Sequence, residues 1–338
     1  MDRTKPLIFL DPHPRTPEMI YDPTMAKSLS EIGHVEFFFG ARAPNEIVER
    51  WLPEISILIG QTAMGAERLA RAKKLKAIIN VKANWEPNID YREAHRRGIH
   101  VLSSAPAMAP AVAEWSLAAA LDLGRGLTSA DHKVRECCEA YGISGCRESK
   151  TMFDASLGLI GYGNLGRALK PLLAKFSDSI LVTDPLLSDE YLITEGMKSV
   201  ELPELLSKSD FLFILAGATV DNPAFLSAEM ISLIRRDCVV VLASRAEVVD
   251  YRSLIMAAEK GKIRLALDVH PIEPIPENDP VRQSKSILIS SHRAGADPRS
   301  YKLKRAMVLD DLRQILAGHR PMRLQAADPI RSARDISR

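Results

Sequence analysis

The sequence predicts an α/β fold with two doubly wound parallel-sheet domains, and three observations predict it. Short apolar runs alternate with helix-like segments along most of the chain. The 338 residues exceed what one hydrophobic core commonly serves, a limit reached at roughly 250 to 300 residues. A long alanine- and leucine-rich run, "VAEWSLAAALDLGRGL", separates a first βα series from a second.

In chain order, "PLIFLDP" reads as a strand and "YDPTMAKSLSEIG" as a helix ending at Gly33. "HVEFFF" is a strand, "PNEIVERWLP" a helix, "ISILIG" a strand and "GAERLARAKKLK" an amphipathic helix. The strand "AIINVKA", the helix "DYREAHRRG" and the strand "IHVLSSA" complete the first series. After the broken stretch "APAMAPA", the alanine-rich run has too little polar surface for an exposed helix, so it is expected to cross between domains. The second series begins at Ala155 and runs through "SILVTD", "DFLFIL", "CVVVLAS" and "IRLALDV" to "SILISSH". From Pro298 the pattern is helical again, and the polar tail from Arg320 to Arg338 is expected to be loosely ordered.

Composition excludes several classes. Hydrophobic residues at 46% and charged residues at 26% are ordinary for a globular protein, and 45 Lys and Arg against 43 Asp and Glu leave a formal charge of +2. Nothing in that balance asks for a nucleic acid or a membrane surface as partner. Cys137, Cys138, Cys146 and Cys238 show neither CxxC nor zinc-ligand spacing, so no metal is expected and free thiols in a reducing cytoplasm are. The apolar core of the N-terminus, Leu7 to Leu10, is too short for a signal peptide.

The stretch "LIGYGNLG" is a GxGxxG run, which alone is a weak signal. Its context strengthens it: an apolar β-like run precedes it and a helical run follows. Gly161 then serves the tight turn, Gly163 the backbone approach to a pyrophosphate and Gly166 the close lie of the helix, with Asn164 and Leu165 opening that helix. The helix N-terminus offers N–H groups and a partial positive charge to the anion. Asp184, ending "SILVTD", stands about where the fingerprint places an acid on the ribose 2′-hydroxyl. Its charge would repel a 2′-phosphate, so NAD rather than NADP is expected. The plain alternative for Asp184 is a strand-end turn former before Pro185.

Three polar side chains close later strands, where ligands of open α/β sheets collect. Arg245 ends "VVVLASR", Glu273 follows "LALDVHPIE", and His292 ends "ILISSH". Singly they read as a surface charge, a loop acid and a strand-end histidine. As a set their roles are complementary. The histidine can pass a proton to or from an alcohol oxygen as hydride moves, the carboxylate fixes its tautomer, and the guanidinium forks onto a substrate carboxylate. That set suits interconversion of a 2-hydroxy acid and a 2-oxo acid.

With those residues in view, the chain resembles the D-isomer-specific 2-hydroxyacid dehydrogenase family over nearly its whole length, to about Leu324. "GLIGYGNLGRAL" is similar to the family's cofactor signature, "VVVLASRAEVVD" to its arginine motif, "ALDVHPIEP" to its acid motif and "ISSHRAG" to its histidine motif. The resemblance implies Arg245 as the substrate-binding arginine, Glu273 as the histidine's partner and His292 as the acid/base. It sets Asp268 beside the nicotinamide carboxamide, although a buried strand-end carboxylate satisfied by backbone N–H groups is an equal reading. It also implies a Rossmann NAD-binding domain, residues 106–297, inserted into a discontinuous flavodoxin-like substrate domain, residues 1–105 and 298–338. Such proteins usually form homodimers through the cofactor domain.

The departures fall mainly in the substrate loop, which reads "NVKANWEPNID" where relatives carry small residues. Lys82 is a candidate for a second anionic group and Trp85 for a pocket wall, with Asn84 between them; otherwise Lys82 is solvated and Trp85 packs between domains. Pro106 and Met108 remove a polar contact, Ala216 and Gly217 alter the packing beside the adenine, and Ala246 replaces a glycine and could restrict its loop. His270 is read first as a packing residue and second as a proton relay. Two rival functions remain open: a noncatalytic NAD-sensing interaction protein of the same fold, and a formate or phosphite dehydrogenase relative. Formate enzymes pair the histidine with glutamine, so Glu273 counts against that branch.

Overall fold

The structure is a computed structural model that describes residues 5–38, 40–82, 85–219 and 223–334, with only the backbone of residues 17 and 18. Its strands, in order, are β1 (Leu7–Asp11), β2 (His34–Phe37), β3 (Ile55–Gly60), β4 (Ala77–Asn80), β5 (His100–Ser103), β6 (Leu157–Ile160), β7 (Ile180–Thr183), β8 (Lys198–Ser199), β9 (Phe211–Ile214), β10 (Cys238–Leu242), β11 (Ile263–Leu267), β12 (Ile287–Ile289) and β13 (Gln325–Ala326). The chain divides into two units, the first comprising residues 1–108, 219–221 and 296–338 and the second residues 109–218 and 222–295.

Among the described residues, the first unit carries a six-stranded sheet in the order β13-β5-β4-β3-β1-β2, parallel except for β13. The second carries a seven-stranded parallel sheet in the order β12-β11-β10-β9-β6-β7-β8. These are the flavodoxin-like and Rossmann orders, and each reverses direction beside its first strand, where α/β sheets open a crevice. The apolar runs are nearly unbroken because both sheet faces are covered. In β3, Ile57 and Ile59 enter one core cluster with Ile8, Leu10 and Ile79, whereas Leu58 enters another with Leu7, Phe9 and Ile78. That is the two-residue alternation of a strand.

Helix starts follow local chemistry. The helix Pro23–Ile32 begins with Asp22 accepting from the Met25 N–H, followed by proline at the first helical position. The helix Ala105–Arg125 starts earlier than the broken stretch suggested and carries Pro110 inside it. Ala107 belongs to a core of the first unit, while Val112, Ala113, Ala119 and Ala120 belong to the core of the second.

The tail corrects an expectation. Its described part, residues 320–334, is tied to the first unit rather than loosely ordered: Asp311 is fully buried, and its carboxylate accepts from the backbone N–H groups of Met322, Arg323 and Leu324. Leu324 is buried, and β13 pairs with Ser103 and Leu102. A carboxylate taken out of water needs such donors, and the tail supplies them.

The helix Pro298–Leu316 also buries Lys304, whose Nζ donates to the Val81 carbonyl. Burial, reinforced by the positive Arg15, lowers its pKa from 10.5 to about 7. The unfolded chain therefore binds this proton through a range in which the folded chain does not, so stability rises with pH from about 7 towards 10.5. The contribution is on the order of 5 kcal/mol across the whole window. Lys304→Met is expected to remove it: urea unfolding at neutral and at alkaline pH should show the variant's advantage shrinking as pH rises. An advantage unchanged across that range would mean that the amine is charged in the folded chain.

Candidate active site

The nucleotide turn lies in the second unit at the end of β6, next to β9 and β7. Gly161 adopts φ +92°, and a Cβ there would lie 2.9 Å from the backbone of Ala216. At Gly166 a Cβ would lie 2.7 Å from the Gly161 carbonyl oxygen, so the helix Asn164–Leu173 can approach the turn only without a side chain. A Cβ at Gly163 would meet nothing within 4 Å, and this residue, without a side-chain cap, precedes the helix. Open space in front of a helix start is what a pyrophosphate requires, so these residues fit a dinucleotide. Asn164 and Leu165 form the first turn, with Leu165 packed on the unit's core.

Asp184 follows β7 directly. Its Oδ2 accepts from the Tyr162 N–H at 2.8 Å and its Oδ1 from the Leu186 N–H at 2.9 Å. The carboxylate thus joins the glycine turn to its own strand end, combining the turn-former reading with a position beside the nucleotide turn. Arg167 stacks over Tyr162 and Tyr191, 4.9 and 5.2 Å from their ring centres. Nothing in the segment after Asp184 signals this cation, because it arrives from a different element.

β10, β11 and β12 are neighbours, and their C-terminal ends carry the other candidates. Arg245 follows β10 half-buried, with Nη1 donating to the Ser244 carbonyl at 2.7 Å. Ala246 is buried at the start of a short 3-10 turn, Ala246–Val248. Beyond β11, Glu273 Oε1 accepts from the His270 N–H at 2.9 Å and its Oε2 lies 2.7 Å from His292 Nδ1. One oxygen is held by the backbone while the other faces the imidazole. The His292 and Glu273 side chains are 39% and 35% exposed, so solutes can reach the pair.

His292 has φ +52°, the left-handed region that costs a non-glycine residue about 1 to 3 kcal/mol when the surroundings impose it. Asp268 imposes it. Its carbonyl accepts from the His292 N–H at 2.7 Å, and its carboxylate accepts from the Arg293 and Ala294 N–H groups at 3.0 Å each and from the Ser290 hydroxyl. Asp268 is 2% exposed. These contacts are those of the strand-end carboxylate, and they shape the turn that presents the imidazole.

His270 is a second histidine fully engaged by protein. Its Nδ1 lies 2.6 Å from the Tyr251 hydroxyl and its Nε2 2.7 Å from the Ser290 carbonyl. A carbonyl can only accept, so Nε2 carries a hydrogen, and in the neutral ring the phenol donates to Nδ1. Burial, with Asp279 and Glu273 nearby, raises the Tyr251 pKa and keeps that proton in place. His270 is therefore a brace, as the packing reading has it, but a hydrogen-bonded one. Ser290 and Tyr251 escaped sequence reasoning because their role is to satisfy His270, a partner that the local sequence does not name.

The stretch "NVKANWEPNID" belongs to the first unit. Lys82 Nζ pairs with Glu86 Oε1, and Glu86 Oε2 accepts from Gln61 Nε2 at 2.8 Å. Burial would raise the Glu86 pKa, but the bonds from Lys82 and Gln61 and the charges of Lys82 and Arg42 outweigh it and hold the acid below its usual range. Lys82 is thus half-buried and paired. Trp85 packs against a core of the first unit, edge-on to Tyr91 at 6.1 Å. Asn84 lies outside the described residues.

The chain is 28% identical over 263 residues to a glyoxylate reductase of Korarchaeum cryptofilum, covering 77% of this chain and 78% of that protein. It is 26% identical over 305 residues to a D-3-phosphoglycerate dehydrogenase of Methanocaldococcus jannaschii, covering 86% of this chain but 55% of the relative, so it spans about half of that longer protein. A solved phosphoglycerate oxidoreductase from Rhizobium etli superposes with a TM-score of 0.85 at 35% identity, covering 96% and 99% of the two chains. A D-lactate dehydrogenase from Aquifex aeolicus, solved with NAD and lactic acid, shares the fold at a TM-score of 0.69 and 20% identity, covering 92% and 96%. The family model described as D-isomer specific 2-hydroxyacid dehydrogenase, NAD binding domain, matches residues 117–294. NAD is accordingly the cofactor, and the chain belongs to the D-isomer specific 2-hydroxyacid dehydrogenase family.

Proposed function

We propose that this NAD-dependent oxidoreductase interconverts a small 2-hydroxy acid and its 2-oxo acid, with His292 as acid/base, Glu273 as its partner and Arg245 holding the substrate carboxylate. The observation that carries the reading is the 2.7 Å contact between His292 Nδ1 and Glu273 Oε2. A carboxylate accepts there, so the neutral ring has its hydrogen on Nδ1 and its lone pair on Nε2. In oxidation Nε2 takes the hydroxyl proton of the substrate, and Glu273 stabilises the imidazolium that results. In reduction the same nitrogen returns the proton to the oxygen of the 2-oxo acid. Arg245 supplies a planar fork for the carboxylate and polarises the adjacent carbonyl. Bound NAD supplies the hydride acceptor, and Gly161, Gly163, Asn164, Leu165, Gly166 and Asp184 are the residues to hold it, with Asp268 shaping the turn beside it.

The first unit is the substrate domain in this reading and the second the cofactor domain. Engagement of Lys82 by Glu86 supports a substrate with one anionic group, such as glyoxylate or hydroxypyruvate, over a phosphorylated one. A screen of 2-oxo acids, following NADH consumption, tests the proposal. Turnover of the unphosphorylated acids is expected, and activity on none of them would overturn it.

Asp184→Asn keeps an acceptor for the Tyr162 N–H but removes the charge. It is expected to weaken NAD binding roughly 10-fold and to relax discrimination against NADP. Parallel titrations with both dinucleotides check this, and an unchanged preference would mean that the ribose is held elsewhere.

A homodimer formed through the second unit is supported by its exposed segment 127–146, where Leu127, Val134, Tyr141 and Ile143 are 60%, 57%, 82% and 79% exposed. Light scattering on the intact chain tests the dimer. The four free thiols and the ordinary charge balance support a cytoplasmic protein.

A further inference from the structure

The first unit contains a chain of polar contacts that the proposed chemistry does not use. Lys304 stands on the helix Pro298–Leu316 among Met307, Val308, Leu312 and Ile315, and is itself 6% exposed. Its Nζ donates to the carbonyl of Val81, the residue after β4. The Val81 N–H donates to Gln61 Oε1 at 3.2 Å, so side chains from two other elements hold both polar groups of this residue. Gln61, 1% exposed, passes the contact on: its Nε2 donates to Glu86 at 2.8 Å, and Glu86 pairs with Lys82. The Gln61 carbonyl accepts from Asn88 Nδ2 at 2.9 Å, which ties down the far side of the same loop.

A buried amine with an apolar helix around it is costly unless it does something a methionine would not. Here it holds a backbone carbonyl at the root of the loop. We infer that Lys304 is a positioning residue, which acts through Val81 and Gln61 to hold Val81, Lys82, Glu86 and Asn88 in place for the substrate. Removing a partner from a buried polar chain releases the groups beyond it, because each was satisfied by its neighbour. The neutral tendency of this amine, whose pKa falls to about 7, reduces the cost of keeping it buried. The assignment of the loop to substrate rests on the proposed function, but the polar chain does not.

Lys304→Met is the test, because methionine fills the same apolar space without a donor. Hydrogen exchange on the intact chain is expected to quicken roughly 10-fold in peptides covering 81–88, while those covering β1 and β3 stay protected. KM for the 2-oxo acid is expected to rise roughly 10-fold with kcat changed less than about twofold, and thermal stability is expected to hold or increase. A lysine that merely supported the fold would instead lower the melting temperature and leave no separate loop signal, and that result would overturn the inference. Gln61→Leu breaks the next link and is expected to give the same exchange pattern, with the double variant no worse than the more affected single. Additive effects would overturn it as well. If Lys304→Met does not fold, Gln61→Leu alone decides, since loop exchange at the original rate would overturn the inference. If the unaltered protein turns over no 2-oxo acid, the proposed function fails and the exchange result still decides this one.

Discussion

His292→Ala is expected to lower kcat by roughly 100- to 10,000-fold, the range that positioned general acids and bases contribute. NADH affinity should stay within about twofold, because the imidazole acts on the substrate oxygen and not on the dinucleotide. The turn around residue 292 should survive, since Asp268 holds it through the backbone N–H groups of residues 292, 293 and 294. Alanine at φ +52° keeps the same strain, so the comparison isolates the ring. Steady-state kinetics combined with NADH fluorescence titration check this. Equal losses of turnover and NADH affinity would assign His292 to cofactor binding instead.

Arg245→Leu is expected to lower kcat/KM for the 2-oxo acid by roughly 100- to 10,000-fold, since two charge-assisted bonds of about 1.5 to 3 kcal/mol each are lost. Arg245→Lys should recover only part of this, because an ammonium restores charge without the fork. The backbone at this position should be little disturbed. Ala246 and Val248 are buried beside it, and the Ser244 hydroxyl donates to the Ile214 carbonyl at 3.0 Å, independently of the guanidinium. NADH titration again separates the roles. Activity of the lysine variant within about fivefold of the original would show that a point charge suffices.

Much of the fold was legible because strands covered on both faces leave an unmistakable trace. "ISILIG", "LIFLD" and "CVVVL" are buried throughout, and no alternation of polar residues interrupts them. The glycine turn was legible because its spacing is dictated by close approach. The segment 127–146 was not, since none of its residues is buried in a core and its few apolar side chains stand exposed among charged ones. Nor was the tail: its anchor is Asp311, which looks like any charged residue on an exposed helix face until three distant N–H groups reach it. Lys304 misleads in the same way, because "KLKRAM" reads as a solvated helix surface.

The sequence by itself determined the α/β class, the order of most strands and the positions of Gly161, Arg245, Glu273 and His292 at strand ends. Those depend on local periodicity and on residue types that few other environments tolerate. The resemblance already paired Glu273 with His292, 19 positions along the chain, but tertiary structure alone decided which oxygen meets the ring, that Asp268 shapes the histidine turn, and that Lys82 is engaged by Glu86. The physical reason is that a polar side chain's role is set by which partner satisfies it away from water, and that partner comes from a neighbouring strand or helix that the local sequence does not name.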